Sequence, residues 1–587
     1  MAPLRTKIVC TIGPVSRSVE ILEAMLLAGM NVARLNFSHG DREYHGENIV
    51  NIRKAASNVN KAVAILVDLQ GPKLRVGKLQ DPGVPLTQGE EIVLTTRSVI
   101  GHAGEIPVQY SSLPKLVARD DRILLDDGLL ELVVLETSET EIRCRVITGG
   151  MLQSNKGMNL PRAHTSIPAI TEKDKQDLTF ALEQGADWIA ISFVRNPHEV
   201  VMLQELVRRQ SAFDKPTPVI AKIEKPEAIQ NIEAIVAAAD GIMVARGDLG
   251  IEASPEQVPL MQKQIISLCN ASGVPVITAT QMLDSMMRNP RPTRAEASDV
   301  ANAILDGTDA IMLSGETTVG QYPLESVQTM ARIAQRAEEE LLRRLAATRP
   351  ARPQIRLVAE AVSHAACETA QELGAAAIVT PTVSGHTARM VSRFRPTVPI
   401  VAFTPSPMVQ RQLCLYWGVH SLLGERTTNT DQMLADAVYA AREHGYVEPG
   451  DLVVVTGGAA GSAPGTTNLI RVQVVEKIVA TGNGIGNGVV QGRVRLISDC
   501  LPDAATIGPR DILAFNRTNR DCVALARQAA GLVVAEEGLD SHAARLAIEL
   551  GVTAIIGVGD DLALLKDGQM VTLDPIRGQV LEAGEVR

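Results

Sequence analysis

Residues 242–252 read IMVARGDLGIE. Ile242, Met243, Val244 and Ala245 form a continuous apolar run of the kind that suits a strand covered on both faces, yet Arg246, Gly247 and Asp248 follow without a turn cluster between them. The end of that strand needs charge. Seven comparable runs occur elsewhere: KIVCTI (7–12), NVARLNF (31–37), AVAILVDL (62–69), DWIAISF (187–193), PVIAKIE (218–224), PVITAT (275–280) and AIMLS (310–314). Between them lie segments such as SVEILEAMLLAG and KDKQDLTFALEQGA, whose apolar residues recur at three and four positions and often end in glycine. Eight strand and helix alternations predict a parallel (β/α)8 TIM barrel.

One interval departs from this rhythm. From 72 to 168 the pattern alternates, as in EEIVLTT and TEIRCRVIT, and predicts an all-β lid domain inserted into a barrel formed by 1–71 and 169–345. An α/β domain over 350–476 follows, with strands at AAIVT, PIVAFT and DLVVVTG. The Gly- and Asn-rich TGNGIGNG (481–488) reads as a linker to a final domain, 488–587.

Composition removes several function classes. In 587 residues, 57 Lys and Arg face 67 Asp and Glu, and the net charge of −10 disfavours polyanion binding. Aromatic residues at 3% leave few stacking platforms, so nucleic acid is not expected as a partner. Cys10, Cys144, Cys269, Cys367, Cys414, Cys500 and Cys522 are scattered without a CxxC pair, which argues against a disulfide framework and fits a reducing cytoplasm. No run approaches the ~20 apolar residues of a membrane span, and the first residues lack the apolar stretch of a signal peptide.

Residues two apart on a strand share a face. The pattern therefore places Arg34, Asn36 and Ser38 together, Lys222 with Glu224, Arg246 with Asp248, and Thr278 with Thr280, all toward carboxyl ends, where a barrel gathers its active site. Glu224 and Asp248 supply two hard oxygen ligands, suited to Mg2+ or Mn2+ completed by water and a bound anion. Arg34, Arg75 and Lys222 point to a substrate bearing phosphate or carboxylate groups. Each residue has a plainer reading: Lys222 with Glu224 alone could be a structural ion pair, Arg246 could orient a neighbour, and His39 and His45 could be capping or surface residues.

The stretches RTKIVCTIGP, MNVARLNFSHG, DLQGPKLRVG, NKGMNLP, IAKIE, GIMVARGDLGIE, TATQMLDSM and NPRPTRAEASDVANAILDGTDAIMLSGET resemble the pyruvate kinase family, in family order from residue 5 to about 320. The resemblance implies an enzyme of glycolysis that moves phosphoryl from phosphoenolpyruvate to ADP, giving pyruvate and ATP, in a cytoplasmic homotetramer. It implies that Lys222 and Arg34 serve the phosphoryl group, that Glu224 and Asp248 hold the divalent ion, and that Gly247 and Thr280 bind the substrate carboxylate. Asn36, Phe37, Ser38, His39, Arg75 and Lys156 would face the nucleotide.

Potassium-requiring members of the family carry Glu where Lys73 stands. The fixed ammonium of Lys73 therefore predicts activity without K+, although Asn36, Ser38, Asp68 and the Leu69 carbonyl still match the monovalent site. TVSGHTARMVSRFRPTVPIVAFTP resembles the family's effector domain, where Thr382, Ser384, His386 and Thr387, with GSAPGTTN as a second loop, would hold a sugar phosphate or AMP. EEGLDSHAARLAIELGVTAIIG resembles the mobile phosphohistidine domain of phosphoenolpyruvate-utilising enzymes, with His542 at the acceptor position. Asp540 replaces the usual Thr and opposes phosphorylation, which favours a structural or regulatory appendage. Two other functions are weighed against a kinase: aldol cleavage on the same barrel, which leaves the lid unexplained, and a noncatalytic metabolite sensor, against which Lys222, Glu224, Asp248 and Thr280 all count.

Overall fold

The computed structural model describes residues 4–161, 167–211, 216–254, 256–347, 355, 357–463, 465–498 and 507–582. The chain forms two compact units. The first comprises Met1–Cys367, Thr380–Met433 and Gly457–Asn468; the second comprises Glu368–Val379, Leu434–Thr456 and Leu469–Arg587.

In the first unit, the eight apolar runs become the eight strands of a closed parallel barrel: Lys7–Thr11, Met30–Asn36, Ala64–Asp68, Trp188–Ile191, Val219–Ile223, Gly241–Ala245, Val276–Ala279 and Ala310–Leu313. The circle closes where Lys7–Cys10 pairs in parallel with Ala310–Leu313. Local chemistry fixes the helices between them. Ser18 accepts from the Ile21 N–H to start Val19–Ala28, and Gly29, at φ 123°, stops it. Thr171 and Thr293 form capping boxes with Asp174 and Glu296 at the starts of Glu172–Glu183 and Arg294–Leu305. The helices bury Leu22, Met25, Ile52, Leu203 and Ile266 against Ile65, Val67, Ile189, Ile223 and Val244, so the strand ends stay in register and their side chains hold position at one rim.

The lid is all-β, as its alternation predicts. A seven-stranded sheet buries every second residue, seen in Glu141–Thr148, around Leu94, Leu132, Val134 and Ile142. Its strands Leu74–Arg75 and Gly157–Asn159 pair antiparallel where the chain leaves and rejoins the barrel. Further along the first unit, Ile400–Thr404 lies parallel to Val419–Leu423. The break expected after residue 345 and Pro464 of the second loop lie at least partly outside the described residues.

In the second unit, Ala377–Val379 pairs in parallel with Val453–Val455. An eight-stranded mixed sheet follows and corrects one expectation: TGNGIGNG is not a linker. Asn483–Ile485 is an edge strand, antiparallel to Ala554–Ile556, and Lys477–Thr481 pairs with Gln579–Glu582 at the other edge. The glycines serve close approach. A Cβ on Gly484 would lie 1.7 Å from the Pro575 carbonyl oxygen, and one on Gly482 would lie 2.3 Å from that of Ile556.

Cys10, Cys144, Cys269, Cys367 and Cys414 are buried thiols. Cys522 is disulfide-bonded, and Cys500 lies outside the described residues. One disulfide is not a framework, yet it departs from the all-thiol set a reducing compartment implies.

Lys7 is buried at the start of the first strand, where its ammonium donates to the Val419 carbonyl at 2.6 Å. Burial pulls its pKa down to about 8, against the partial support of Cys414 and Glu338. Between that value and the ordinary lysine value of about 10.4, the unfolded chain binds the proton that the folded chain has released, so stability rises with pH across this window. Lys7→Met is expected to remove this rise, a difference of about 3 kcal/mol between pH 7.5 and 10.5. Paired urea denaturation of wild type and variant across that range measures it, and parallel curves would refute it.

Candidate active site

Four strand ends build a charged floor. Lys222, 8% exposed, sets its ammonium 2.8 Å from Glu224 Oε1, 3.3 Å from Asp68 Oδ1 and 2.9 Å from the Ser192 hydroxyl. Asp68 also accepts from Arg34, whose Nε lies at 2.8 Å and Nη2 at 2.6 Å. Arg34 donates a further bond to the Thr11 hydroxyl at 2.9 Å. Burial pushes the Asp68 carboxyl up, but the Lys222 and Arg34 cations outweigh it and hold the group below the usual carboxylate range. Burial also works against the Lys222 charge, and Asp68 with Glu224 reverses it, raising the ammonium above its ordinary value. Glu224 ends elevated: burial raises it, Lys222 opposes, and Asp248 adds repulsion. Two carboxylates that repel each other across a polar space suit a cation placed between them.

Asp248 stands at the edge of a cavity of about 660 Å3, together with Lys73, Asp127, Gly247 and Thr280. Lys73 Nζ approaches Asp248 Oδ1 to 3.6 Å. Thr280 has φ 70°, a conformation that β-branched residues rarely adopt, and its hydroxyl accepts from the Gly247 N–H at 2.8 Å. Phe193, at φ 56°, aims its N–H at Glu224 Oε2, 2.6 Å away. Among the described residues no cluster of three His, Cys, Asp or Glu side chains gathers; Glu224 and Asp248 supply hard oxygens of the kind that take a divalent ion completed by water and substrate.

The geometry corrects three expectations. Arg246 and Asp248 do not share a strand face, because the chain turns into the helix Arg246–Glu252 at that point. Arg246 bonds Asp299 at 2.7 Å and the carbonyls of Ala279 and Thr280, which makes it a brace for the Thr280 turn. Thr278 is fully buried and bonded to the Thr308 hydroxyl at 2.9 Å, outside the cup. The Phe37 ring is buried as well, stacked on His45 at 4.1 Å, and the Phe37 carbonyl accepts from Lys173.

The remaining nucleotide-side residues divide by element. Asn36, at the end of its strand, accepts from the Ser38 N–H at 3.2 Å. His39 follows; partial burial lowers its pKa, and the neighbouring Arg75, Lys73 and Arg34 cations lower it further. Arg75 donates to the Asn155 carbonyl, and Lys156 pairs with Asp126 at 2.8 Å, so both are held on the lid.

Three comparisons with known proteins bear on this arrangement. The pyruvate kinase barrel-domain family matches residues 4–327, and the pyruvate kinase alpha/beta-domain family matches 360–473. A pyruvate kinase of Bacillus licheniformis is 48% identical over 578 residues, 98% of each chain. The chain belongs to the pyruvate kinase family. Pyruvate kinase 2 of Synechocystis is also 48% identical, over 98% of this chain and 97% of its own. A crystal structure of a pyruvate kinase from Cryptosporidium parvum superposes with TM-score 0.74 at 38% identity, covering 80% of this chain and 96% of that one. The family model for the mobile domain of PEP-utilising enzymes matches 507–578.

In this pyruvate kinase fold, one constellation carries no signal in the linear sequence. Glu252, one turn beyond Asp248, accepts from Lys225 at 2.6 Å and from the Asn159 amide at 2.8 Å. Lys225 follows Glu224, and Asn159 belongs to the inserted β domain, so one buried carboxylate links the flanks of Glu224 and Asp248 to that domain. Of the effector candidates, Thr382 and Thr387 are buried, and the Thr387 hydroxyl meets that of Thr467 at 2.8 Å, which joins the two loops. Ser384 and His386 flank Gly385, where the helix His386–Arg393 starts. In the second unit, His542 opens the helix His542–Leu550, with its Nδ1 2.9 Å from the Thr518 hydroxyl.

Proposed function

We propose that this member of the family transfers the phosphoryl group of phosphoenolpyruvate to ADP, forming pyruvate and ATP, with Mg2+ or Mn2+ at Glu224 and Asp248. The observation that carries the reading is the convergence of Lys222, Asp68, Glu224, Asp248 and Lys73 at one rim of the barrel. Three cations, Arg34, Lys73 and Lys222, face three carboxylates, Asp68, Glu224 and Asp248, so the charged floor is near neutral by itself. A divalent ion and an anionic substrate then favour arriving together, since either alone leaves uncompensated charge in a poorly solvated site.

Phosphoryl transfer asks the protein for positioning and charge stabilisation rather than covalent help. Asp68 holds Arg34 and Lys222 side by side, which presents two cations to the travelling phosphoryl group. The Gly247 backbone and the Thr280 hydroxyl, fixed by the strained turn and by Arg246, orient the substrate carboxylate. The divalent ion, when bound, neutralises charge developing on substrate oxygens. His39, Arg75 and Lys156, with Asn36 and Ser38, receive the nucleotide as the lid closes and excludes water, and Thr280 stands where a linked water could protonate the enolate. A coupled assay with phosphoenolpyruvate, ADP and Mg2+ tests the reading; absence of pyruvate above a metal-free control would end it.

The Glu252 junction gives closure a specific latch. Asn159→Ala is expected to raise the KM for ADP about five- to tenfold, the cost of one charge-assisted bond made by the lid, with a smaller effect on kcat. Steady-state titration of ADP at saturating phosphoenolpyruvate measures it, and an unchanged KM would remove Asn159 from closure.

We assign Thr382, Ser384, His386 and Thr387 to a sugar phosphate or AMP effector, supported by the Thr387–Thr467 contact between the two loops, and the assembly to a cytoplasmic homotetramer by family likeness. The proposed division is barrel, lid, effector domain and C-terminal domain, the last beginning at Lys477 rather than after a linker. This last domain reads as an appendage. Arg577 bonds Asp436 and Asp574 and lies 4.5 Å from the Tyr439 ring centre, which pins a module whose phosphocarrier counterparts must swing.

A further inference from the structure

A short loop, residues 37–41, joins the second barrel strand, Met30–Asn36, to the helix Arg42–Asn58. It carries Ser38 and His39, two of the residues assigned above to the nucleotide. A short loop with a glycine has many conformations, and ordering it only when a ligand arrives costs affinity. Two side chains from outside the loop order it beforehand.

The first is His45, on the opening turn of the helix. The reading of His45 as a cap or a surface residue does not hold: the cap is Asp41, which accepts from the Tyr44 N–H, and His45 is 3% exposed. Its ring lies flat on Phe37, with centres 4.1 Å apart and planes 7° from parallel, and its edge meets Tyr44 at 5.4 Å. His45 Nε2 stands 2.8 Å from the His39 carbonyl, which can only accept, so the proton is on Nε2 and the ring donates. Nδ1 is buried with no hydrogen-bond partner among the described residues, and burial lowers the pKa of the ring. The ring is therefore neutral, and its one N–H is spent on the loop. Gly40, at φ 76°, makes room for the bond: a Cβ there would lie 3.4 Å from Nε2 and 2.8 Å from Tyr44 Cδ1.

The second is Lys173, in the helix Glu172–Glu183. Its ammonium donates to the Phe37 carbonyl at 2.8 Å and pairs with Asp177 at 2.5 Å, while Asp177 also takes Arg42 at 3.1 Å. Two helices thus hold the carbonyls of Phe37 and His39 from outside, and the residue between them, Ser38, has its N–H on the Asn36 side chain at 3.2 Å.

We infer that His45 is a positioning residue for the nucleotide: with Lys173 it preorganises loop 37–41, so that Ser38 and His39 are in place before ADP arrives. The inference rests on the reading of this loop as the nucleotide side of a kinase site. Binding of phosphoenolpyruvate is spared, because Lys222, Glu224, Gly247 and Thr280 belong to other strand ends and Arg34 is fixed separately by Asp68 and Thr11.

Two substitutions separate the bond from the stack. His45→Phe keeps a flat ring and deletes the donor; His45→Gln loses the ring and keeps an N–H near the place of Nε2. Steady-state titration on the full chain is expected to show the KM for ADP raised about fivefold in His45→Phe and within about twofold of wild type in His45→Gln. The KM for phosphoenolpyruvate should stay within about twofold in both. A merely structural role moves different quantities: unfolded molecules lower the apparent kcat and leave KM alone, and general loosening weakens both substrates and is worse for Gln, which gives up the buried stack. Lys173→Met, where the side chain is 47% exposed, serves if His45→Phe does not fold, and is expected to raise the KM for ADP about threefold. An unmoved KM for ADP in His45→Phe and Lys173→Met, an equal rise for both substrates, or a rise as large in His45→Gln overturns the inference while the kinase reading stands. A wild type that forms no pyruvate from phosphoenolpyruvate and ADP ends that reading, and the inference with it.

Discussion

Lys222→Met is expected to lower kcat about 10³-fold while the KM for phosphoenolpyruvate moves far less, because the ammonium is set to meet charge that develops in transit. In the resting protein, Lys222 holds Asp68, Glu224 and Ser192 within 3.3 Å. Its removal therefore has a structural consequence as well. Asp68 keeps Arg34, but Glu224 is left buried beside Asp248 with the Phe193 N–H as its remaining donor among the described residues, and breaking a buried pair in this way costs about 3–5 kcal/mol. The Glu224 pKa, already raised by burial, moves higher still once the opposing cation is gone, so the acid limb of any residual activity shifts to higher pH.

Stability and catalysis separate in a double variant. Lys222→Met with Glu224→Gln removes the stranded charge and is expected to recover part of the thermal stability without recovering kcat. A single variant that keeps kcat within tenfold of wild type, or a double variant that restores turnover, would show that Lys222 serves folding and not phosphoryl transfer. Initial rates at saturating substrate, paired with thermal melts, supply both measurements.

The barrel was legible because buried parallel strands write themselves as short apolar runs, and all eight runs became strands. The face rule worked where the chain stayed extended, so Lys222 and Glu224 meet at 2.8 Å. It failed at Arg246, since two-residue spacing says nothing about where a strand becomes a helix, and the start of a helix sends the two side chains to different partners. Glycine misled in the opposite sense at 481–488. Composition there suggests flexibility, whereas the backbone uses the missing Cβ to let Pro575 and Ile556 approach. The Asn159–Glu252–Lys225 junction and the left-handed Phe193 join residues remote in sequence or depend on local dihedrals, and one chain read alone carries no signal for either.

Lys73→Glu is expected to create a potassium requirement, and the wild type is expected to show none. The oxygens that would ring a monovalent ion are largely engaged: Asp68 by Lys222 and Arg34, the Leu69 carbonyl by the Ser192 hydroxyl at 2.7 Å, and the Asn36 side chain by the Ser38 N–H. Lys73 meanwhile places an ammonium at the cup, 3.6 Å from Asp248 and close enough to depress the His39 pKa. The wild-type rate is therefore expected to change less than about twofold when KCl replaces tetramethylammonium chloride at constant ionic strength, since the positive charge is already built in. Glutamate at 73 would put a fourth carboxylate into a floor that is near neutral, and the rate without K+ is expected to fall about 10²-fold, within the range for loss of one preorganised charge. Potassium should restore much of that loss, and sodium less. Lys73 is 22% exposed and its pairing with Asp248 contributes at most about 1 kcal/mol to folding, so the variant should melt near wild type and the rate effect can be read directly. Strong activation of the wild type by KCl would show that the ammonium does not replace the ion. A variant slowed but indifferent to potassium would show instead that Lys73 acts on the substrate alone.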